Sequence, residues 1–231
     1  ISGAITVNGG TLSLGTNSDS VGAVTLSSGS ITSSTGVLTG SSYSLTDSGS
    51  ISAILGGSGT LTKTGAGTVT LSGANTYTGA TTINGGTLSI SADNNLGTAP
   101  GGVTPASITL GGGTLLTTAD FTLNANRGIT LTTATSSNVS AAPGTTLTYG
   151  GVIAGSGNIQ FGTTGSGTGN IVLNAATSHT GSTTIGAGTL KYGVDNALSS
   201  ATAVTASSGA TLDLVSSNAT FGSLAGASGS I

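Results

Sequence analysis

Two stretches of this chain repeat one another, and that repetition narrows the possible folds more than any other property. Gly57 to Ile90 reads GSGTLTKTGAGTVTLSGANTYTGATTINGGTLSI, and Thr168 to Tyr192 reads TGNIVLNAATSHTGSTTIGAGTLKY. Val69 aligns with Ile171, Leu71 with Leu173, Tyr77 with His179, Ile83 with Ile185 and Leu88 with Leu190, each at an offset of 102 residues (179 − 77). The match runs on through Asp93-Asn94-Asn95-Leu96 against Asp195-Asn196-Ala197-Leu198. Upstream, Gly57-Ser58-Gly59 aligns with Gly155-Ser156-Gly157 at an offset of 98, so a small insertion is expected around Ser166 to Asn170. A partial third copy, Ile5 to Leu12, aligns with Thr81 to Leu88. Repetition of this kind marks supersecondary units that bury their apolar faces only by stacking.

Within each copy, short runs such as Thr68-Val69-Thr70-Leu71 and Thr87-Leu88-Ser89-Ile90 place an apolar residue at every second position. This is the period of a half-buried strand. Glycine supplies the turns between runs. Helix is disfavoured, because Glu is absent, Lys and Arg are rare and β-branched residues abound. A low-complexity disordered chain is disfavoured too. The mean hydropathy is +0.33 and the aliphatic residues are phased.

Short strands are expected throughout: at Ile5-Val7, Thr11-Leu14, Val24-Leu26, Ser30-Thr32, Val37-Leu38, Tyr43-Leu45, Ser50-Leu55, Ser107-Leu110, Thr114-Leu116, Asp120-Leu123, Gly128-Thr132, Thr145-Tyr149 and Val152-Ile153, besides those of the copies. Pro100, Pro105 and Pro143 sit in loop-like surroundings. The reading is a single all-β solenoid, a parallel β-helix without regular helix. Its repeat copies span approximately 1–55 (partial), 56–154 and 155–231. At roughly 20 residues per coil this gives about eleven coils, in a rod about 50 Å long. Valine, isoleucine and leucine would fill a narrow core, and threonine and serine would face water. Ile1 and Ser230-Ile231 fall inside strand-like runs, so the chain reads as a segment of something longer.

The run Leu61-Thr62-Lys63-Thr64-Gly65-Ala66-Gly67, then Val69-Thr70-Leu71, Asn75-Thr76-Tyr77-Thr78-Gly79, Thr81-Thr82-Ile83 and Gly86-Thr87-Leu88 resembles the passenger-associated β-strand repeat of bacterial autotransporters. The second copy departs from the pattern. Phe161 stands near the lysine position, Thr177 replaces Asn75 and His179 replaces Tyr77. The resemblance implies a right-handed parallel β-helix exported to a bacterial cell surface, where it serves in stalks, adhesins or extracellular fibres. It transfers no catalytic residue.

Charged residues make up 4% of the chain, against roughly 25% in ordinary domains. Three cations (Lys63, Arg127, Lys191) and six Asp give a net charge of −3, the wrong sign and size for nucleic acid. No run approaches the length of a membrane helix, and zero Cys removes a disulfide framework. The inventory lacks a P-loop, a nucleophile elbow and any multi-histidine metal site, so no catalytic, cofactor or metal residue is assigned.

His179 reads as a surface turn residue, with a titrating or ligand role as the alternative. Asp93 and Asp195 sit at equivalent turn-like positions. Asp213 should face water and, 18 residues beyond Asp195 (213 − 195), could stack on it. A carboxylate pair of that kind is what an enzyme reading would need. Asn138-Val139-Ser140 and Asn218-Ala219-Thr220 match the glycosylation sequon. Tyr43, Tyr77, Tyr149 and Tyr192 read as structural anchors, with a sugar-stacking platform as the alternative.

The function expected is a structural stalk or fibre segment of a large secreted surface protein, not an enzyme, located outside the cell. The alternatives are an adhesin binding glycans or matrix through its Thr/Ser-rich face, and a polysaccharide-degrading β-helix. The partners expected are further coils of the same chain, or copies of it joined end to end.

Overall fold

The computed structural model describes residues 3–132, 136–163, 165 and 167–227. The runs at Ile1 and at Ser230-Ile231, and Ser166 in the expected insertion, lie outside them. Every pairing between strands is parallel and joins one coil to the next. Alternation dictates this arrangement. A strand with one apolar row and one hydroxyl row can bury only one side, and each coil satisfies its main-chain N–H and C=O groups on the coils above and below.

The coil has three faces. On face one the stack runs through the first halves of Ile5–Ser13 and Ala23–Thr32, then Ser42–Leu45, Thr60–Lys63, Thr81–Ile83, Thr104–Leu110, Arg127–Leu131 and Ile153–Gly155. On face two it runs through the second halves of the first two strands, then Gly49–Ile51, Thr68–Leu71, Thr87–Ile90, Thr114–Thr117, Ser137–Ala141, Ile159–Phe161, Thr183–Ile185, Ala203–Ala206 and Ser223–Gly226. Face two therefore holds one strand from each of about eleven coils, as the sequence predicts. The first two strands turn the corner between faces, so faces one and two form one 17-stranded sheet.

Face three begins as Asp19–Ser20, Val37–Thr39 and Ile54–Gly56 and ends as Phe121–Leu123, Thr146–Tyr149, Asn170–Leu173, Thr189–Tyr192 and Thr211–Asp213. Its middle coils carry no strand. There the Thr76 amide donates to the Leu55 carbonyl at 2.8 Å and the Thr98 amide to the Tyr77 carbonyl at 2.9 Å. The 3₁₀ turn Asp93–Leu96, the one helical turn among the described residues, lies beside them.

The core is one continuous column. Val24, Tyr43, Leu61, Thr81, Ile108, Ile129 and Ile153 stack in one inward row of face one. All of them are buried. Each fully buried aliphatic side chain contributes about 1.5–3 kcal/mol relative to exposure. Close approach between coils falls to glycine. A Cβ on Gly65 would stand 1.5 Å from the Thr46 carbonyl oxygen of the coil below.

Coil length varies, from 17 residues between the paired Val37 and Ile54 (54 − 37) to 27 between Thr81 and Ile108 (108 − 81). The longer coils move the repeat copies out of phase. In the first copy, Thr60–Lys63, Thr68–Leu71 and residues 75–77 occupy faces one, two and three. In the second copy, Ile159–Phe161 lies on face two and Asn170–Leu173 on face three. Residues 178–180 then fall on face one, with the Ser178 amide donating to Ile153 and the Thr180 amide to Gly155. The two copies are thus rotated by one face about the rod axis. The partial copy at Ile5 stays in phase with the first, since Ile5 and Thr81 both lie on face one.

Four expectations need amendment. The run Ser50-Leu55 is not one strand but breaks at the corner into Gly49–Ile51 on face two and Ile54–Gly56 on face three. The runs at Ile5-Val7 and Thr11-Leu14 form one strand, as do those at Val24-Leu26 and Ser30-Thr32. Ser137–Ala141 is an additional strand, masked in the sequence by its polar residues. Pro105 is inside the strand Thr104–Leu110 rather than in a loop. Pairing there skips from Thr104 to Ile108, so its missing N–H falls in an irregularity of the ladder. Among the described residues no helix is long and apolar enough to cross a membrane.

Candidate functional site

Outward on face one, registered pairing aligns Thr6, Thr25, Ser44, Thr62, Thr82, Thr109, Thr130 and Ala154 in a single file. Successive members are about 4.8 Å apart. The file contains no ionisable side chain. A second hydroxyl line starts beside it, where Thr46 and Ser27 hydroxyls lie 3.2 Å apart across coils. At the Ala154 end the file gives way to a small apolar notch lined by Val103, Pro105, Ile129 and Val152.

Inside the coil, polar side chains brace the corners that lack strands. Asn75 is buried, accepts from the Leu55 amide at 2.8 Å and donates to the Asn95 carbonyl at 2.6 Å. Asn95 in turn donates to the Gly73 carbonyl at 3.0 Å and accepts from the Ser91 and Ala92 amides. The Tyr77 hydroxyl bonds the Thr81 hydroxyl at 2.9 Å. Burial pushes its pKa up to about 12 against the opposing effect of that bond. Tyr43, whose ring centroid is 6.0 Å from that of Tyr77, accepts from the Gly40 amide and reaches the Leu38 and Gly56 carbonyls. The Tyr149 hydroxyl donates to the Arg127 carbonyl at 2.7 Å.

Two of the three cations are buried, which their scarcity in the sequence did not reveal. Arg127 is a clamp. Its Nε meets Asp93 Oδ1 at 2.9 Å, Nη1 meets the Leu96 carbonyl at 3.0 Å and Nη2 meets the Gly97 carbonyl at 2.7 Å. Lys63 lies in an inward row between Leu45 and Ile83, and its ammonium bends back to the Gly65 carbonyl. Burial draws its pKa down, and Asp47 opposes that shift. Phe161 fills the same place in the second copy, registered with Ile185 as Lys63 is with Ile83.

His179 is not a surface turn residue. It takes the inward position of Tyr77, is fully buried, and its Nε2 lies 2.9 Å from the Thr183 hydroxyl, as Tyr77 does from Thr81. The reason is local. In both copies the segment keeps the strand period, with residues 75 and 77, and 177 and 179, inward and their neighbours outward. Burial lowers the pKa of His179, and its Nδ1 is buried without a hydrogen-bond partner. Thr177 replaces Asn75 as the brace, accepting from the Ser199 amide at 3.1 Å.

The expected carboxylate pair does not form. Asp213 registers with Lys191, 3.5 Å away, and not with Asp195. Asp195 lies on Asn218, accepting from its amide and side chain, and these bonds hold its carboxyl below the usual range. Coils here run 22 residues (213 − 191) rather than 18, which separates the two acids. Asp93 and Asp195 do occupy equivalent corners, each accepting from a backbone amide of the next coil (Asn124 and Asn218).

All four tyrosines are buried, so none offers a stacking face. In the sequons, Asn138 is half-buried beside Thr114, while Asn218 is exposed but engaged by Asp195. Among the described residues no three His or Asp side chains gather where they could hold a metal ion. An open recess lined by Thr177, Asn196, Ser199, Ser200 and Thr220 among others holds no ionisable side chain.

These coils coincide with what comparison with known proteins finds. A family model described as passenger-associated-transport-repeat matches residues 61–90 and 164–191. The chain is also 37% identical over 108 residues to the protein named "Adhesin BmaC autotransporter" of Brucella suis biovar 1 (strain 1330). That alignment covers 47% of this chain and 3% of the relative, so the chain spans a small part of the relative's length. No solved structure matches the chain. The chain thus carries two segments that match the passenger-associated-transport-repeat, and both are wound into the stacked coils of one β-solenoid.

Proposed function

We propose that the chain is a non-catalytic, load-carrying segment of a passenger displayed outside the cell. The observation that carries this reading is the unbroken ladder of face two, in which each coil is bonded to its neighbours through main-chain groups. Pulling on such a rod must break a ladder at every coil, and few backbone groups are open to proteases. With 4% charged residues, the outward surface is little affected by salt. A further coil, from the same polypeptide or a second copy, would add by the same ladder, which is how filament growth would proceed.

The uncharged hydroxyl file of face one favours a second reading, adhesion to neutral polysaccharide. One experiment separates the two. Thr25, Thr62, Thr82 and Thr109 are replaced together by Lys in the displayed protein, and surface exposure, reach and polysaccharide binding are measured. The load-carrying reading expects exposure and reach to persist with binding unchanged. Loss of binding at full exposure would move the function to face one. Loss of exposure on replacing the file by Val, which keeps the β-branched shape, would overturn both.

A further inference from the structure

We propose that protonation of His179 opens the second repeat copy locally, making this coil the acid-labile point of the rod. Four observations carry it. The ring is buried, its Nε2 is committed to the Thr183 hydroxyl, and its Nδ1 meets no acceptor. An imidazolium at this position would therefore present a second N–H donor to a site with no group to receive it. The corner around it is also less braced than its counterpart. Buried Asn75 and Asn95 span coils in the first copy, where the second has Thr177 and Ala197. The first copy is its own control, since Tyr77 fills the equivalent site with a group that stays neutral up to about pH 12.

Among the described residues, no charge offsets the proton from the elements packed on this segment. The coil below contributes Ile153 to Gly155, and its carbonyls accept from Ser178 and Thr180. The coil above contributes Ala197 and Thr202, whose hydroxyl reaches the His179 carbonyl at 3.5 Å. The strand of Thr183 adds only Thr and Ile. The nearest ionisable residues along the chain are Lys191, Tyr192 and Asp195. Lys191 and Asp195 are engaged by Asp213 and Asn218, and Tyr192 is buried and stays neutral up to about pH 12, so it supplies no negative charge.

The sign follows from burial. The folded pKa lies below the unfolded value of about 6.5, so the stability of the closed coil is complete above that pH. It is lost as the pH falls from there toward the lowered folded value. The bonds from Asn218 depress Asp195, so its contribution is lost only in the more acidic carboxylate range. The interval between about pH 5 and 6.5 therefore belongs to the histidine.

The test is native-state hydrogen exchange on the whole chain across that interval, corrected for the intrinsic rate, comparing residues 170–206 with residues 68–104. The opening constant of the second copy is expected to rise up to about tenfold per pH unit while that of the first stays level. His179→Tyr, which installs the first copy's residue, should abolish the difference. His179 is the sole histidine. Its ring resonance therefore reports independently, and should hold the neutral shift in the closed state. The inference is overturned if that resonance titrates near 6.5 with the coil closed, if both copies respond alike, or if the response survives in His179→Tyr. Should that variant fail to fold, the wild-type resonance alone decides.

Discussion

Arg127 is the residue whose removal tests the architecture most sharply. Its guanidinium is almost wholly enclosed, with 3% side-chain exposure against 25% for Asp93. Replacing it by Met keeps the stem but strips the Leu96 and Gly97 carbonyls of their buried donor. Each such loss costs about 1–3 kcal/mol. Asp93 loses its counter-charge, although its partial exposure and the Asn124 amide soften that loss. The sum falls at about 3–5 kcal/mol, the usual range for breaking one side of a buried pair.

Arg127→Lys keeps the charge but not the fork that spans three acceptors, so roughly half of that loss is expected. Asp93→Asn leaves the carbonyl bonds and should cost about 1–3 kcal/mol. Urea denaturation reads the global change. Hydrogen exchange at residues 93–97 and 121–131 reads the local one, since stacked repeats need not unfold in one step. A buried clamp also predicts that added salt leaves the differences unchanged. A cost for Arg127→Met below about 0.5 kcal/mol, typical of surface positions, would refute the reasoning.

Asn75→Ala should cost about 2–4 kcal/mol by urea denaturation, because it orphans the Leu55 amide and the Asn95 carbonyl. Asn75→Thr, the second copy's choice, should recover part of this; equal costs would argue against the bracing role. Gly65→Ala should destabilise the stack by more than about 2 kcal/mol, because the new Cβ meets the backbone of the coil below. Unchanged thermal stability would rule out coil spacing as the constraint there. Alkali should unfold the rod. Burial raises the pKa of Tyr77 and Tyr192 to about 12, so the stability their neutral forms provide is intact below about pH 10 and is lost as the pH rises from there through about 12. Tyrosinate absorbance developing near pH 10 with the circular dichroism intact would contradict this.

The aliphatic phase exposed most of the fold in the sequence. Runs such as Thr68-Val69-Thr70-Leu71 carry the strand period in their own side chains, and the coil count follows from the chain length and the usual coil of roughly 20 residues. The corners were harder to read. His179, Lys63 and Arg127 are polar and lie beside turn-forming residues, so local chemistry points them to water. Their inward placement depends on a neighbouring coil that arrives roughly twenty residues away. The signal that finds His179 is the continuation of period two through Thr177-Ser178-His179-Thr180, a polar strand without aliphatics. No comparable signal marks Arg127, whose partners lie 30 to 34 residues upstream across an elongated coil.

The rotation between the copies says what kind of unit the repeat is. If the motif had evolved to present a surface, its copies would gain by facing the same way, yet the longer coils turn the second copy onto the next face. What survives the rotation is internal: Ile83 and Ile185, Leu88 and Leu190, and the hydroxyl bond from residue 77 to 81 that recurs from 179 to 183. Conversely, the hydroxyl file of face one draws single residues from coils inside and outside the copies. Packing inward and display outward are therefore set by different residues in the same coils. The core can thus stay fixed while the outward rows change freely, as a scaffold requires.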